Sequence, residues 1–132
     1  MTVLYLDASA LVKLVVAEPE SPALLQLLRA WPVRVSSALS LAEVPRALRR
    51  AGFSAGARRR ARDVLARINL VDIDRRVLAG AAALDPAALR TLDAIHLATA
   101  LSIREDLQAV VTYDRRLTAA AQRAQLEVLA PA

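Results

Sequence analysis

The chain has 132 residues, of which 56% are hydrophobic and none is cysteine. This length predicts a single domain over residues 1–132, and the lack of cysteine excludes disulfides and thiolate metal sites. The net charge is +5, and Lys13 is the only lysine, so arginine supplies nearly all of the positive charge. Arginine suits phosphate binding, although a genome rich in G and C would explain the same arginine excess.

The start of the chain does not have the pattern of a signal peptide. It has no basic segment, and it reaches an acid already at Asp7. The longest apolar stretches, such as residues 14–17, are far too short to span a bilayer. We therefore expect a cytoplasmic protein without a membrane segment.

Short apolar runs alternate with longer helical patterns along the chain, which is typical of an α/β domain. The predicted strands are residues 3–6, 33–36, 70–73, 109–112 and 127–129. Most of these runs are apolar without strict alternation, as in parallel strands whose two faces are both covered. The predicted fold class is therefore α/β, a three-layer α/β/α arrangement around a parallel sheet.

Capping residues mark the starts of the predicted helices. The predicted caps Ser21 (before Pro22), Ser54, Asp74 and Thr91 open helices that run to about residues 30, 67, 84 and 103, in that order. Asp114 opens the last predicted helix. Pro45 lies inside the helix that Ser40 should start, where its missing N–H disturbs the first turn. We expect that helix to begin later or to bend, which leaves the position of Glu43 open.

Four acidic residues lie where an apolar run gives way to a helical pattern. Asp7 and Asp114 follow predicted strands, Glu43 comes soon after the second strand, and Asp93 lies in the first turn of a helix. The carboxyl ends of parallel strands and the helices that follow them meet at one edge of a sheet, so we expect the four acids to converge. Clustered carboxylates need a cation, and Mg²⁺ or Mn²⁺ prefers oxygen ligands. The pattern indicates a metal-dependent enzyme of phosphoryl chemistry.

Each acid also has a purely structural interpretation. Asp7 and Asp114 have the positions of ordinary N-caps, Ser40 and Glu43 have the spacing of a capping box, and Asp93 would interact favourably with a helix dipole. Four such coincidences on one sheet edge are less expected than any one alone, which favours a site.

Two hydroxyls and one histidine accompany the acids. Ser9 and Thr112 each lie two residues from an acid, where a hydroxyl can orient a carboxylate or a water. His96 is the only histidine, and its apolar neighbours in sequence predict a packed structural residue, with a contact to the site as the alternative. One histidine and no cysteine leave little for a hydrolase triad or a zinc site.

At these residues the sequence resembles the PIN-domain ribonucleases, specifically the VapC toxins of toxin–antitoxin pairs. The matching segments, in order, are 4–14 (LYLDASALVKL), 36–44 (SSALSLAEV), 92–100 (LDAIHLATA) and 110–114 (VVTYD). Any one of them is a weak signal, but the ordered set covers nearly the whole chain and is specific. Pro45, directly after the second matching segment, departs from the pattern.

The resemblance implies a five-stranded parallel sheet, a homodimer and metal-dependent hydrolysis of RNA by activated water. It implies that Asp7, Glu43, Asp93 and Asp114 form the catalytic quartet, supported by Ser9 and Thr112. Our hypothesis makes Asp7, Asp93 and Asp114 the ligands of Mg²⁺ or Mn²⁺, with Glu43 holding water or assisting proton transfer. A cognate VapB-like antitoxin would inhibit the enzyme in a hetero-oligomer by pushing a basic side chain toward the acids.

The residues predicted to bind the substrate are arginines. Arg46, Arg49 and Arg50 follow the second acid and are predicted to contact RNA phosphates, with a solvated helix face as the alternative. A related metal-dependent DNA nuclease stays open because nothing in the sequence indicates recognition of the 2′-hydroxyl. A non-catalytic PIN-fold binding module, with the acids as caps, is the second alternative.

Overall fold

The structure is a computed structural model that describes residues 2–132. Its strands are β1 (Val3–Leu6), β2 (Arg34–Ser37), β3 (Asn69–Val71), β4 (Leu107–Val111) and β5 (Val128–Leu129). They form one five-stranded sheet in the order β3-β2-β1-β4-β5, and every neighbouring pair is parallel. The prediction of a five-stranded parallel sheet is confirmed.

Helices connect and cover the strands. In chain order they are α1 (Ala8–Val15), α2 (Ser21–Ala30), α3 (Ser40–Arg50), α4 (Ala55–Leu65), α5 (Arg75–Ala82), α6 (Thr91–Ser102) and α7 (Arg115–Arg123). Within residues 2–132, no helix combines the length and the apolar character that crossing a membrane requires.

The central strand β1 carries core side chains on both of its faces. Leu4 and Leu6 belong to a buried cluster with residues of α1 to α4, whereas Val3 and Tyr5 belong to a second cluster with residues of α6 and α7. Successive side chains of a strand point to opposite faces, so this division places a helical layer on each side of the sheet. The predicted three-layer α/β/α class is confirmed.

Helix starts follow local capping chemistry at most of the predicted positions. Ser54, Asp74 and Asp114 are N-caps whose side chains accept backbone N–H groups, as predicted. The other two predicted caps are wrong by one residue. Ser21 and Thr91 are the first helical residues, because Ser21 Oγ donates to the Lys13 carbonyl and the extended residue before Thr91 takes the N-cap position.

Helix α3 begins at Ser40 although Pro45 lies inside it. The expectation of a later start is wrong, because a proline removes one helical hydrogen bond without preventing the turns before it. Glu43 therefore lies in the first turn of α3, close to the carboxyl end of β2.

Strand ends differ from the prediction by one or two residues. β4 begins at Leu107 and includes the exposed Gln108, because pairing with β1 extends beyond the apolar run. β2 ends at Ser37, which pairs with Val71 of β3. Backbone hydrogen bonds to a neighbouring strand set these ends. The length of an apolar run in the sequence does not predict such bonds.

Candidate active site

The reversal of strand order places a crevice at the carboxyl edge of the sheet. The chain moves from β1 to β2 and β3 on one side, and β4 then pairs with the other side of β1. Parallel sheets bind ligands at such a switch point. Asp7 directly follows β1, and Asp114 follows β4 after two residues, so both lie at this point.

Asp7 is buried and held by several donors. Ser9 Oγ donates to Asp7 Oδ1 at 2.6 Å, Thr112 Oγ1 donates to Oδ2 at 2.6 Å, and the Ala10 backbone N–H donates to Oδ1 at 3.1 Å. Burial raises the pKa of the Asp7 carboxyl, and the hydrogen bonds from Ser9 and Thr112 oppose that rise. Asp7 is thus both the N-cap of α1 and a constrained buried acid.

Ser9 and Thr112 also fix the segment that leads to Asp114. The Tyr113 N–H donates to Ser9 Oγ at 3.0 Å, and the Asp114 N–H donates to Thr112 Oγ1 at 3.1 Å. Asp114 Oδ1 in turn accepts from the Arg116 and Leu117 N–H groups of α7. The two hydroxyls therefore connect the ends of β1 and β4.

Arg90 joins the third acid to the fourth. Its Nε lies 3.1 Å from Asp93 Oδ2, and its NH2 group lies 3.5 Å from Asp114 Oδ2. The Arg90 side chain is 57% exposed, whereas that of Asp93 is 12% exposed. The guanidinium therefore neutralises two carboxylates from the solvent side of the site.

Glu43 is held by a buried chain of hydrogen bonds. His96 Nε2 lies 2.6 Å from Glu43 Oε1, and His96 Nδ1 lies 2.7 Å from the Tyr5 hydroxyl. Burial raises the pKa of the Tyr5 phenol well above its ordinary value, so the Tyr5 hydroxyl stays protonated beside Nδ1. Because a carboxylate oxygen accepts hydrogen bonds, the contact with Glu43 places an N–H on His96 Nε2.

These contacts correct two interpretations of the sequence. Ser40 and Glu43 do not form a capping box, because Ser40 Oγ is hydrogen-bonded to Ser36 Oγ and Glu43 turns to His96. His96 is buried, as predicted for a packed residue, yet it also contacts an acid of the site, which was the alternative.

All four predicted acids line one cavity of about 340 Å³. Its other lining residues include Ser9, Arg90, Leu92 and His96. The sequence prediction that distant carboxylates converge on one sheet edge is therefore met by the geometry.

The donor set of this cavity suits a hard divalent cation, since it consists of carboxylate oxygens. In the described part of the chain, however, no three acidic or histidine side chains are arranged closely enough to hold a metal as they stand. The reason lies in the contacts: Arg90 already bridges Asp93 and Asp114, and protein donors engage both oxygens of Asp7. The Arg90 guanidinium occupies the space between Asp93 and Asp114.

Two of the three predicted substrate arginines lie beside an acid of the site. Arg46 and Arg50 line a neighbouring cavity of about 390 Å³ that also includes Ser9 and Glu43. Arg49 does not line that cavity but lines a smaller one with Arg46 and Arg50. Arg46 and Arg50 are therefore placed next to the site, whereas Arg49 is farther around the helix.

Sequence reasoning missed Arg90 and Tyr5. Arg90 precedes Asp93 by three residues, the spacing of neighbours on a helix face, which signals the first ion pair. Its contact with Asp114, and that of Tyr5 with His96, 91 residues later, exist only in the folded chain.

Known proteins are similar to this chain in sequence and fold over nearly its whole length. The family model described as PIN domain matches residues 4–123. Ribonuclease VapC46 of Mycobacterium tuberculosis is 52% identical over 131 residues, covering 99% of each chain. Ribonuclease VapC35 of the same species is 44% identical, covering 97% of this chain and 96% of the relative.

A solved structure agrees with these relatives. A chain of a toxin–antitoxin complex from Klebsiella pneumoniae superposes with a TM-score of 0.72 at 26% identity, covering 99% of this chain and 98% of that one. The resemblance inferred from the acidic segments is confirmed: the chain belongs to the PIN-domain family and, within it, to the VapC ribonucleases.

Proposed function

We propose that this chain is the metal-dependent endoribonuclease toxin of a toxin–antitoxin pair, a single PIN domain over residues 1–132 that hydrolyses RNA phosphodiester bonds. One observation carries the proposal: acids from four distant segments line one cavity at the switch point of the sheet. The identity to named ribonucleases over nearly the full chain supports it.

Asp7, Asp93 and Asp114 are the residues that would hold Mg²⁺ or Mn²⁺. When bound, such a cation supplies charge neutralisation at the phosphate and a lower pKa for an attacking water. Arg90 supports this assignment, because the protein already stabilises positive charge between Asp93 and Asp114.

The other residues position the acids and move a proton. Ser9 and Thr112 hold both oxygens of Asp7 in one orientation. His96 fixes Glu43 Oε1 by its Nε2–H, which leaves Glu43 Oε2 to accept the proton of the attacking water. Tyr5 keeps His96 in the tautomer that this arrangement needs.

Arg46 and Arg50 are assigned to the RNA backbone on the α3 side of the acids. Both carry a guanidinium group beside Glu43, where a phosphate next to the scissile one would pass. Arg49, which lies farther around, contributes to the same basic surface.

A VapB-like antitoxin is the proposed partner, and a homodimer is the proposed assembly. A chain that resembles this one over its full length comes from a toxin–antitoxin complex. Leu92 lines the acidic cavity and is 49% exposed, and Leu41 of α3 is 55% exposed, which suits a surface that another chain covers. We place the enzyme in the cytoplasm, where it would meet both RNA and antitoxin.

The Asp7→Asn variant tests both the proposed ribonuclease activity and the assignment of Asp7 to its site. Purified wild-type protein with Mn²⁺ is expected to cleave single-stranded RNA, and EDTA is expected to stop cleavage. Asp7→Asn is expected to slow cleavage by at least about 100-fold, because it removes one ligand charge while keeping the side chain's shape.

Asp63→Asn is the matched control, since Asp63 is exposed on α4 and lines none of the cavities described above. It is expected to cleave at the wild-type rate. Equal cleavage by the two variants would contradict the site assignment. Cleavage of DNA but not RNA by the wild type would contradict the substrate.

A further inference from the structure

A second groove adjoins the acidic cavity on the side of α7. It has a volume of about 550 Å³, and its lining includes Leu89, Arg90, Arg116, Ala119, Ala120 and Arg123. No acidic residue lines it. Arg90 lines both this groove and the acidic cavity, so the two spaces adjoin at its side chain.

On the α7 side of this groove, two alanines lie between two arginines. Arg116, Ala119, Ala120 and Arg123 have the spacing of one helix face. Arg116 and Arg123 are two turns apart, about 10 Å along the helix axis. The alanines between them add little height, so a polymer can approach the helix and meet both guanidinium groups.

Arg116 and Arg123 carry charge without local compensation. Both are exposed, and within residues 2–132 neither forms an ion pair. The carboxylate of Asp114, at the start of the same helix, is engaged by Arg90. Their positive potential is therefore available to a ligand in the groove.

We propose that this α7 groove binds the phosphodiester backbone of single-stranded RNA on one side of the scissile bond. The inference rests on the proposed function, because it identifies where that substrate runs. A cavity with four acids repels a polyanion, so binding energy must come from adjoining cationic surface. The α7 groove supplies it through Arg116 and Arg123.

RNA fits this groove better than an acidic peptide does. The groove adjoins the acidic cavity at Arg90, on a side where a polymer that reacts in the cavity can leave it. Arginine forks match phosphate oxygens in pairs, and the apolar floor of Leu89 and the alanines accepts ribose and base faces. Contacts to phosphates also leave base sequence unread.

Equilibrium binding of a fluorescein-labelled single-stranded RNA tests the groove. All proteins carry Asp7→Asn so that the RNA stays intact, and anisotropy is measured between about 50 and 200 mM salt. The test variant adds Arg116→Ala and Arg123→Ala. The matched control adds Arg29→Ala and Arg75→Ala, two exposed arginines on α2 and α5 that line neither the groove nor the acidic cavity.

The groove variant is expected to bind RNA about tenfold or more weakly than the control. Its plot of log affinity against log salt is expected to be shallower by about 1.4, from two lost contacts at about 0.7 each. In an otherwise wild-type protein with Mn²⁺, the same two substitutions are expected to raise KM for cleavage and to change kcat little.

An unchanged salt slope in the groove variant would overturn the proposal, whatever the wild type cleaves. Unchanged RNA binding together with loss of antitoxin binding would also overturn it and make the groove a protein interface. Failure of the wild type to cleave RNA would instead refute the proposed function, and melting temperatures exclude a folding defect in either double variant.

Discussion

Asp7 combines an observed structural role with the chemical role that we propose for it. Its Oδ1 caps α1 by accepting from the Ala10 N–H, while both of its oxygens accept from hydroxyls inside the site. Burial makes the ionised Asp7 carboxylate costly, which is why its pKa is raised. The residue that we assign to metal binding is therefore a source of instability in the metal-free fold.

A pH-dependent gain in stability is the expected result of Asp7→Asn without metal. The folded pKa of Asp7 lies above its unfolded value of about 4. Its contribution to stability is therefore complete below that value and is lost as pH rises through the folded pKa. The variant cannot ionise, so its melting temperature in EDTA should exceed that of the wild type increasingly from about pH 4 to pH 7. A difference in melting temperature that becomes smaller as the pH rises would contradict the argument that burial disfavours the ionised Asp7.

Arg90 would compete with a bound cation for the two acids that it bridges. We expect Arg90→Gln to bind Mn²⁺ about threefold to tenfold more tightly by calorimetry, because two partly exposed ion pairs no longer need to be broken. Arg75→Gln, an exposed substitution on α5, is the control. Weaker Mn²⁺ binding by Arg90→Gln would show that the arginine builds the site instead of competing for it.

At the scale of elements, helix starts depend on local chemistry that the chain carries within four residues. Asp74 illustrates this, because its Oδ1 accepts from the Val77 N–H at 2.9 Å at the start of α5. The pattern of an acid before a helical run was sufficient to predict it. Ser21 and Thr91 show the limit, since the residue before each occupies the N-cap position in the fold.

Asp74→Ala is expected to lower the free energy of unfolding by about 1 kcal/mol, the usual cost of losing a side-chain cap. Urea titration measures it. Asp72→Ala is the matched control, because Asp72 is exposed just before the same helix and caps nothing in the described structure. Both variants should cleave RNA at the wild-type rate, and equal loss of stability in the two would argue against capping.

Helix α3 shows how an element can tolerate a local conflict. Pro45 has no N–H for the helical bond to Leu41, yet the helix continues to Arg50. Val44 and Leu48 of this helix are fully buried in the core cluster beneath it. Burial of this apolar face outweighs one missing hydrogen bond, and it keeps Glu43 facing the crevice.

At the scale of the whole molecule, the order of the strands decides where the chemistry lies. β1 is central, and its neighbours β2 and β4 begin about 30 and 100 residues later in the chain. Because all strands are parallel, their carboxyl ends share one edge, and residues after β1, β2 and β4 meet there. This topology brings Asp7, Glu43 and Asp114 to one cavity, which α6 completes with Asp93.

The element types, most helix starts and the four acidic positions could be predicted from the amino-acid sequence. They depend on capping hydrogen bonds, on apolar periodicity and on the place of each acid just after an apolar run, all of which short segments encode. Only the tertiary structure decided that Arg90 bridges Asp93 and Asp114, that Tyr5 orients His96 toward Glu43, and that an arginine-lined groove opens beside α7. Such contacts join side chains far apart in the chain, and their geometry is fixed only when the helical layers pack on the sheet.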